Sequence, residues 1–211
     1  MIYIVGLGPG HEDYILPKAI KTLKKCDIIV GFKRALDSLK IDNCKKSYMK
    51  SLADVDKFIS KETDNNDYIN KNIAIVASGD PTFYGITNYI KSKAQVPFEV
   101  IPGISSIQYL TAKVKLPWNN AYLGSLHGRS DYFINKVREY DTAIWLTDKE
   151  NNPSYLCEIL CEEKIDVNII VGENLSYEDE VITTGKPADF IGKEFSSLCI
   201  LIIDKSTKIQ E

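Results

Sequence analysis

The run Gly6-Leu7-Gly8-Pro9-Gly10 constrains this chain more than any other stretch. Directly before it stands Met1-Ile2-Tyr3-Ile4-Val5, β-branched and aromatic, which reads as a buried strand. Glycines at alternate positions let the backbone turn sharply off a strand end and approach a ligand closely. A helix is expected from about Pro17 to Lys25, with Pro17 suited to its first turn. Strand, glycine turn and helix in that order describe an open α/β sheet, where ligands bind outside the carboxyl ends of the strands. A phosphate loop is excluded because no Gly-Lys-Ser/Thr follows, and a dinucleotide fingerprint lacks its third glycine, His11 standing there. A ligand-free turn stays open on this stretch alone.

Two more strand ends carry the same kind of turn. Ile73-Ala74-Ile75-Val76-Ala77 runs into Ser78-Gly79-Asp80-Pro81-Thr82-Phe83-Tyr84-Gly85. Pro81 suits the first turn of a helix to about Lys93, and Asp80 reads either as the cap of that helix or as a ligand contact. Val96 to Ile101 is a further strand, ending in Pro102-Gly103-Ile104-Ser105-Ser106, where the next helix offers backbone N–H groups and hydroxyls. Ile28-Ile29-Val30 is the second strand, and no acidic residue closes it, which removes the ribose contact of a Rossmann-type oxidoreductase. Phe32 to Lys40 is read as helical, with Lys33 and Arg34 either solvated or facing an anionic ligand. Leu52 to Ile59 is also read as helical, and Glu62 to Asn72 as a polar loop.

Composition sets the outer limits. The formal net charge of -3 and a pI near 5.6 argue against a general nucleic-acid binder. Apolar runs are far too short for a membrane span, and no basic leader precedes one, so a cytoplasmic protein is expected. The cysteines, Cys26, Cys44, Cys157, Cys161 and Cys199, match no zinc spacing and read as buried structural thiols. No metal site is expected.

Taken together, Gly6-Leu7-Gly8-Pro9-Gly10, Gly79-Asp80-Pro81 and Pro102-Gly103-Ile104-Ser105-Ser106 resemble the tetrapyrrole methylase family, over essentially the whole chain. Diphthine synthases and ribosomal RNA 2′-O-ribose methyltransferases share these motifs, so they do not name the substrate. Leu116-Pro117-Trp118 followed by Ser125-Leu126-His127-Gly128-Arg129 resembles the branch that methylates carbon 5 of a (cobalt-)precorrin. The resemblance implies two α/β domains, residues 1–114 with a parallel sheet and 115–211 with a mixed one, and an active site in the cleft between them. It implies S-adenosylmethionine as cofactor, held by Leu7, Pro9, Gly79, Asp80, Phe83, Ser105 and Ser106, with backbone near Leu146 and Leu175 on the adenosine. Further implications are a homodimer and a separate decarboxylating C15-methyltransferase as partner. Other precorrin methyltransferases, a Rossmann-like nucleotide-binding oxidoreductase, or a binding module without turnover remain the alternatives.

His127 and Arg129 are the candidate catalytic residues. A precorrin carries many carboxylates, which arginine recognises with two parallel hydrogen bonds. Histidine is the side chain most easily poised for proton transfer near neutral pH. The remaining segments read as strand 121–124, helix 131–140, strand 142–146, helix 153–163, strand 167–171, strand 180–183, short helix 187–191 and strand 198–203. Strands that follow one another without a helix between them predict a mixed sheet.

Overall fold

The computed structural model describes residues 1–41, 44–60, 71–126, 132–197 and 199–206. The chain divides into two compact units, Met1–Ser106 and Ile107–Glu211.

In the first unit the strands are β1 (Ile2–Gly6), β2 (Ile28–Phe32), β3 (Lys45–Met49), β4 (Ile73–Ala77) and β5 (Phe98–Ile101). They form one sheet in the order β3-β2-β4-β1-β5, with every pairing parallel. Parallel strands need helical crossovers, which cover both faces of the sheet. The apolar runs in β1, β2 and β4 follow from that. Along β1 and β4, Val5, Ala74 and Val76 pack with Ala19 and Leu23 of α1 (Pro17–Leu23) and Leu36 of α2 (Lys33–Asp37). Their alternates Ile2, Ile4, Ile73 and Ile75 pack on the opposite face with Phe58 and Ile59 of α3 (Asp56–Ile59) and Ile90 of α4 (Thr87–Lys93). Pro17 takes the first turn of α1 as expected.

The second unit contains β6 (Tyr122–Ser125), β7 (Thr142–Leu146), β8 (Asn168–Glu173), β9 (Val181–Gly185) and β10 (Cys199–Asp204) in the order β6-β7-β10-β8-β9. Only the β6–β7 pairing is parallel, so the sheet is mixed. One face is buried by α6 (Phe133–Glu139) and α7 (Pro153–Glu162), whose Phe133, Val137, Leu156 and Leu160 pack on Trp145, Ile169, Val171 and Leu201. Trp145 is fully buried against Gly124, where a Cβ would stand 2.3 Å from the indole ring.

Helix α5 (Ser106–Lys113) starts at the last residue of the first unit and lies in the second from Ile107 on. Leu110 packs there. Its methyls lie so near Gly172 of β8 that a Cβ there would meet one at 2.9 Å. Three expectations change. Lys45–Met49 is a strand where the sequence alone shows no strand pattern. Helix α4 starts at Thr87, so Pro81 does not open it. Cys161 is exposed, unlike the buried Cys26, Cys157 and Cys199.

Candidate functional site

The three glycine turns of the first unit lie at the ends of adjacent strands β4, β1 and β5. They are in backbone contact. A Cβ on Gly6 would stand 2.6 Å from the Gly103 nitrogen and 2.8 Å from the Gly79 carbonyl oxygen. A Cβ on Gly103 would stand 2.1 Å from that same oxygen. Side chains are therefore excluded at both positions, and the strand ends close on one another.

Beyond the strands, Gly8 and Gly79 exchange hydrogen bonds. Gly79 N–H donates to the Gly8 carbonyl at 2.7 Å, and Gly8 N–H to the Gly79 carbonyl at 3.3 Å. Both residues have positive φ, +79° and +66°, the left-handed region that glycine enters without steric cost. A Cβ on Gly79 would meet only Ser105 Cα, at 3.7 Å. Space thus opens beside Gly79 where it is closed beside Gly6 and Gly103. Leu7, Pro9 and Ser105 are buried, Gly79, Phe83 and Ser106 half-buried, and Phe83 packs edge-on against Tyr84 with ring centroids 4.9 Å apart.

Asp80 ties two of the turns together. Its carboxylate accepts Thr82 N–H at 2.7 Å, the Thr82 hydroxyl, and Gly103 N–H at 3.0 Å. It therefore caps no helix; it closes its own turn and anchors the one after β5. Partial burial opposes ionisation of this carboxyl. The Thr82 hydroxyl and the Gly103, Thr82 and Phe83 amides outweigh it and hold the carboxyl below its ordinary range. Lys33 pairs with Asp37 one helical turn away at 2.5 Å, on an exposed face of α2.

In the second unit, Leu146 closes β7, and its carbonyl accepts Leu126 N–H at 2.8 Å. Leu175 is 5% exposed, in the turn after β8. On either side of it Asn174 and Ser176 have φ of 45° and 66°. Non-glycine residues hold that conformation only when their surroundings impose it. Here Asn174 accepts the Ser196 hydroxyl at 2.8 Å and donates to Asp179 at 2.8 Å, and Ser176 N–H donates to Glu180 at 2.6 Å. Asn174 stands in the run Gly172-Glu173-Asn174-Leu175 and, as an asparagine, tolerates the left-handed region better than most residues, whereas Ser196 and Glu180 leave no local mark in the sequence. His127 and Arg129 lie outside the described residues. Among the described residues no group of three or more His, Cys, Asp and Glu side chains is arranged to hold a metal, and no helix is long and apolar enough to cross a membrane.

Comparison with known proteins gives the wider setting. The profile of the Tetrapyrrole (Corrin/Porphyrin) Methylases matches residues 1–190. A probable cobalt-precorrin-7 C(5)-methyltransferase of Methanocaldococcus jannaschii is 36% identical over 99% of this chain and all of its own length. The cobalt-precorrin-7 C(5)-methyltransferase of Salmonella typhimurium is 29% identical over 97% of this chain and all of its own. Among solved structures, a precorrin-6Y methylase from Archaeoglobus fulgidus superimposes with a TM-score of 0.75 at 19% identity, covering 98% of this chain and 99% of that one. A uroporphyrin-III C-methyltransferase from Thermus thermophilus complexed with S-adenosylhomocysteine superimposes at 0.76 and 18% identity, covering 96% and 91%. The chain belongs to the tetrapyrrole methylase family and is a methyltransferase.

Proposed function

We propose that this protein transfers a methyl group from S-adenosylmethionine to carbon 5 of a cobalt-precorrin in cobalamin biosynthesis. The observation that carries this reading is the full-length 36% identity to a probable cobalt-precorrin-7 C(5)-methyltransferase. The fold alone does not choose the substrate, because a diphthine synthase superimposes with a TM-score of 0.72.

The residues of the first unit fit the cofactor. Backbone packed on backbone at Gly6 and Gly103, with room beside Gly79 and Ser105, suits a ligand gripped mainly by main-chain groups. Leu7, Pro9, Gly79, Asp80, Phe83, Ser105 and Ser106 would hold it there, with Leu146 and Leu175 as the proposed adenosine contacts. Bound S-adenosylmethionine supplies an already activated methyl on a sulfonium. The protein's own task is then orientation and exclusion of water, which needs no side-chain nucleophile. Asp80 fixes the two turns relative to each other. Arg129 is proposed to grip a substrate carboxylate, and an imidazole nitrogen of His127 to take up a proton. We further propose a cytoplasmic homodimer that works with a separate decarboxylating C15-methyltransferase.

The deciding experiment incubates the protein with methyl-labelled S-adenosylmethionine and a precorrin not yet methylated at carbon 5, with and without cobalt. Label is expected in the ring at carbon 5. Calorimetry should show binding of S-adenosylhomocysteine and none of NAD. Label at another ring carbon would move the protein to another branch, and NAD binding without S-adenosylhomocysteine binding would remove the methyltransferase reading.

A further inference from the structure

The turn that carries Leu175 is held from outside by a carboxylate. Glu180 stands just before β9. One of its oxygens accepts Ser176 N–H at 2.6 Å, and the other lies 3.6 Å from the Lys113 ammonium. Tyr109, one helical turn before Lys113 on α5, also donates its hydroxyl to Glu180. The Glu180 side chain is only 20% exposed. A single carboxylate thus links α5, the turn after β8 and the approach to β9.

The turn needs such a link. Asn174 and Ser176 both sit at positive φ, a region that asparagine enters readily and serine rarely does. Leu175 lies between them and is fixed on its own side by Gly172, since a Cβ on that glycine would meet both Leu175 and Leu110 at 2.9 Å. The Leu175 side chain is therefore locked by α5 and β8. Its backbone is locked by the neighbouring Ser176–Glu180 bond.

We propose that Glu180 is a positioning residue for the cofactor: through Ser176 it presets the backbone at Leu175 to receive the adenosine of S-adenosylmethionine. This rests on the cofactor reading given above. The role is one of reach. The oxygen must stand where the Ser176 amide points, and charge as such is secondary. Burial works against ionisation of Glu180, yet bonds from Tyr109, the Ser176 amide and Lys113 keep it ionised, which suits a permanent acceptor.

The test is calorimetric binding of S-adenosylhomocysteine to wild type, Glu180→Gln, Glu180→Asp and Glu180→Ala, each first checked for a cooperative thermal transition. Glutamine keeps one acceptor at the same reach for the Ser176 amide and turns its NH2 toward Lys113 and the Tyr109 hydroxyl, which can reverse to accept it, so Glu180→Gln should lower the Tm yet stay within about threefold of wild type in affinity. Aspartate keeps the charge but withdraws it by one methylene, so Glu180→Asp should lose about tenfold, as should Glu180→Ala. Should Glu180→Ala fail to fold, the comparison of aspartate with glutamine carries the result. In turnover, the KM for S-adenosylmethionine should rise in Glu180→Asp while kcat at saturation holds. Wild-type affinity in Glu180→Asp, or equal losses in glutamine and aspartate variants, overturns the positioning role while leaving the cofactor reading intact. Absence of S-adenosylhomocysteine binding by the wild type overturns the cofactor reading, and the proposal with it.

Discussion

The Asp80 carboxylate accepts the Gly103 N–H at 3.0 Å across 23 residues of sequence. Its other oxygen accepts the Thr82 N–H at 2.7 Å. Asparagine at position 80 would offer an N–H group to one of these donors, setting donor against donor. Asp80→Asn is expected to lose about 1.5–3 kcal/mol of stability, the range for a hydrogen bond to a charged group. It should also weaken S-adenosylhomocysteine binding tenfold or more. Thermal denaturation and calorimetry on the same preparation check both. A lowered Tm with unchanged affinity would confine Asp80 to holding the turns.

Acid should act on the same bond. In the folded protein this carboxyl is held below its ordinary value of 3.8. The ionised form therefore favours folding. That contribution is complete above the unfolded value and is lost as pH falls through the lower folded one. From about pH 5 upward it should be flat. Glu180 and Asp56 are shifted the same way and lose stability over the same acid range. The informative quantity is thus the difference between wild type and Asp80→Asn in denaturant melts at successive pH values. That difference should shrink below about pH 4. A difference independent of pH would mean that the Asp80 charge does not contribute.

The closure of the strand ends predicts a sharp contrast between two glycines. A Cβ at Gly103 would stand 2.1 Å from the Gly79 carbonyl oxygen, and about 3.0 Å from Gly6 Cα and carbonyl carbon. All three are backbone atoms, which cannot rotate away. Gly103→Ala should cost about 3 kcal/mol or more and abolish cofactor binding. At Gly192, φ is +73° and nothing lies within 4 Å of the added carbon. Gly192→Ala should cost only the backbone strain, about 1 kcal/mol. Equilibrium denaturation of both variants measures this, and equal effects would refute the closed packing.

Arg129 is proposed to meet the acceptor. The substrate proposed here is polyanionic while the chain carries a net charge of -3, so attraction must come from local cations. Arg129→Ala should lower kcat/KM for the acceptor about tenfold to a hundredfold, the equivalent of 1.5–3 kcal/mol. Its affinity for S-adenosylhomocysteine should not change. Steady-state kinetics with each substrate varied in turn separates the two, and unchanged acceptor kinetics would remove Arg129 from the site.

Both sheets could be read from the sequence because their central strands are buried on both faces. Ile73-Ala74-Ile75-Val76 is apolar throughout because alternate residues enter different cores. The strand Lys45–Met49 escaped for the opposite reason. It is an edge strand with only Met49 buried, so its polar run shows no pattern. The stretch after β4 misled in another way. Pro81 and Asp80 have the composition of a helix start, but Gly85 packs so closely that a Cβ would stand 2.4 Å from the Pro81 carbonyl. The chain spends those residues on a tight loop and enters α4 only at Thr87. At the site, the three turns were legible because glycine is a local signal. The Asp80–Gly103 and Ser176–Glu180 bonds were not, since each depends on where a side chain arrives after folding.

The strand order gives the two units different histories during synthesis. In the first sheet every strand has left the ribosome once Ile101 has emerged, and β1, made first, waits at its interior place between β4 and β5. In the second sheet β10 lies between β7 and β8, so the sheet stays split until Asp204 is made. Until then β7 and β8 each present an unpaired edge, a surface that invites aggregation in a nascent chain. A premature stop or frameshift anywhere upstream of Cys199 would leave that half without its central strand. Such products should be cleared by proteases instead of persisting as a shortened enzyme.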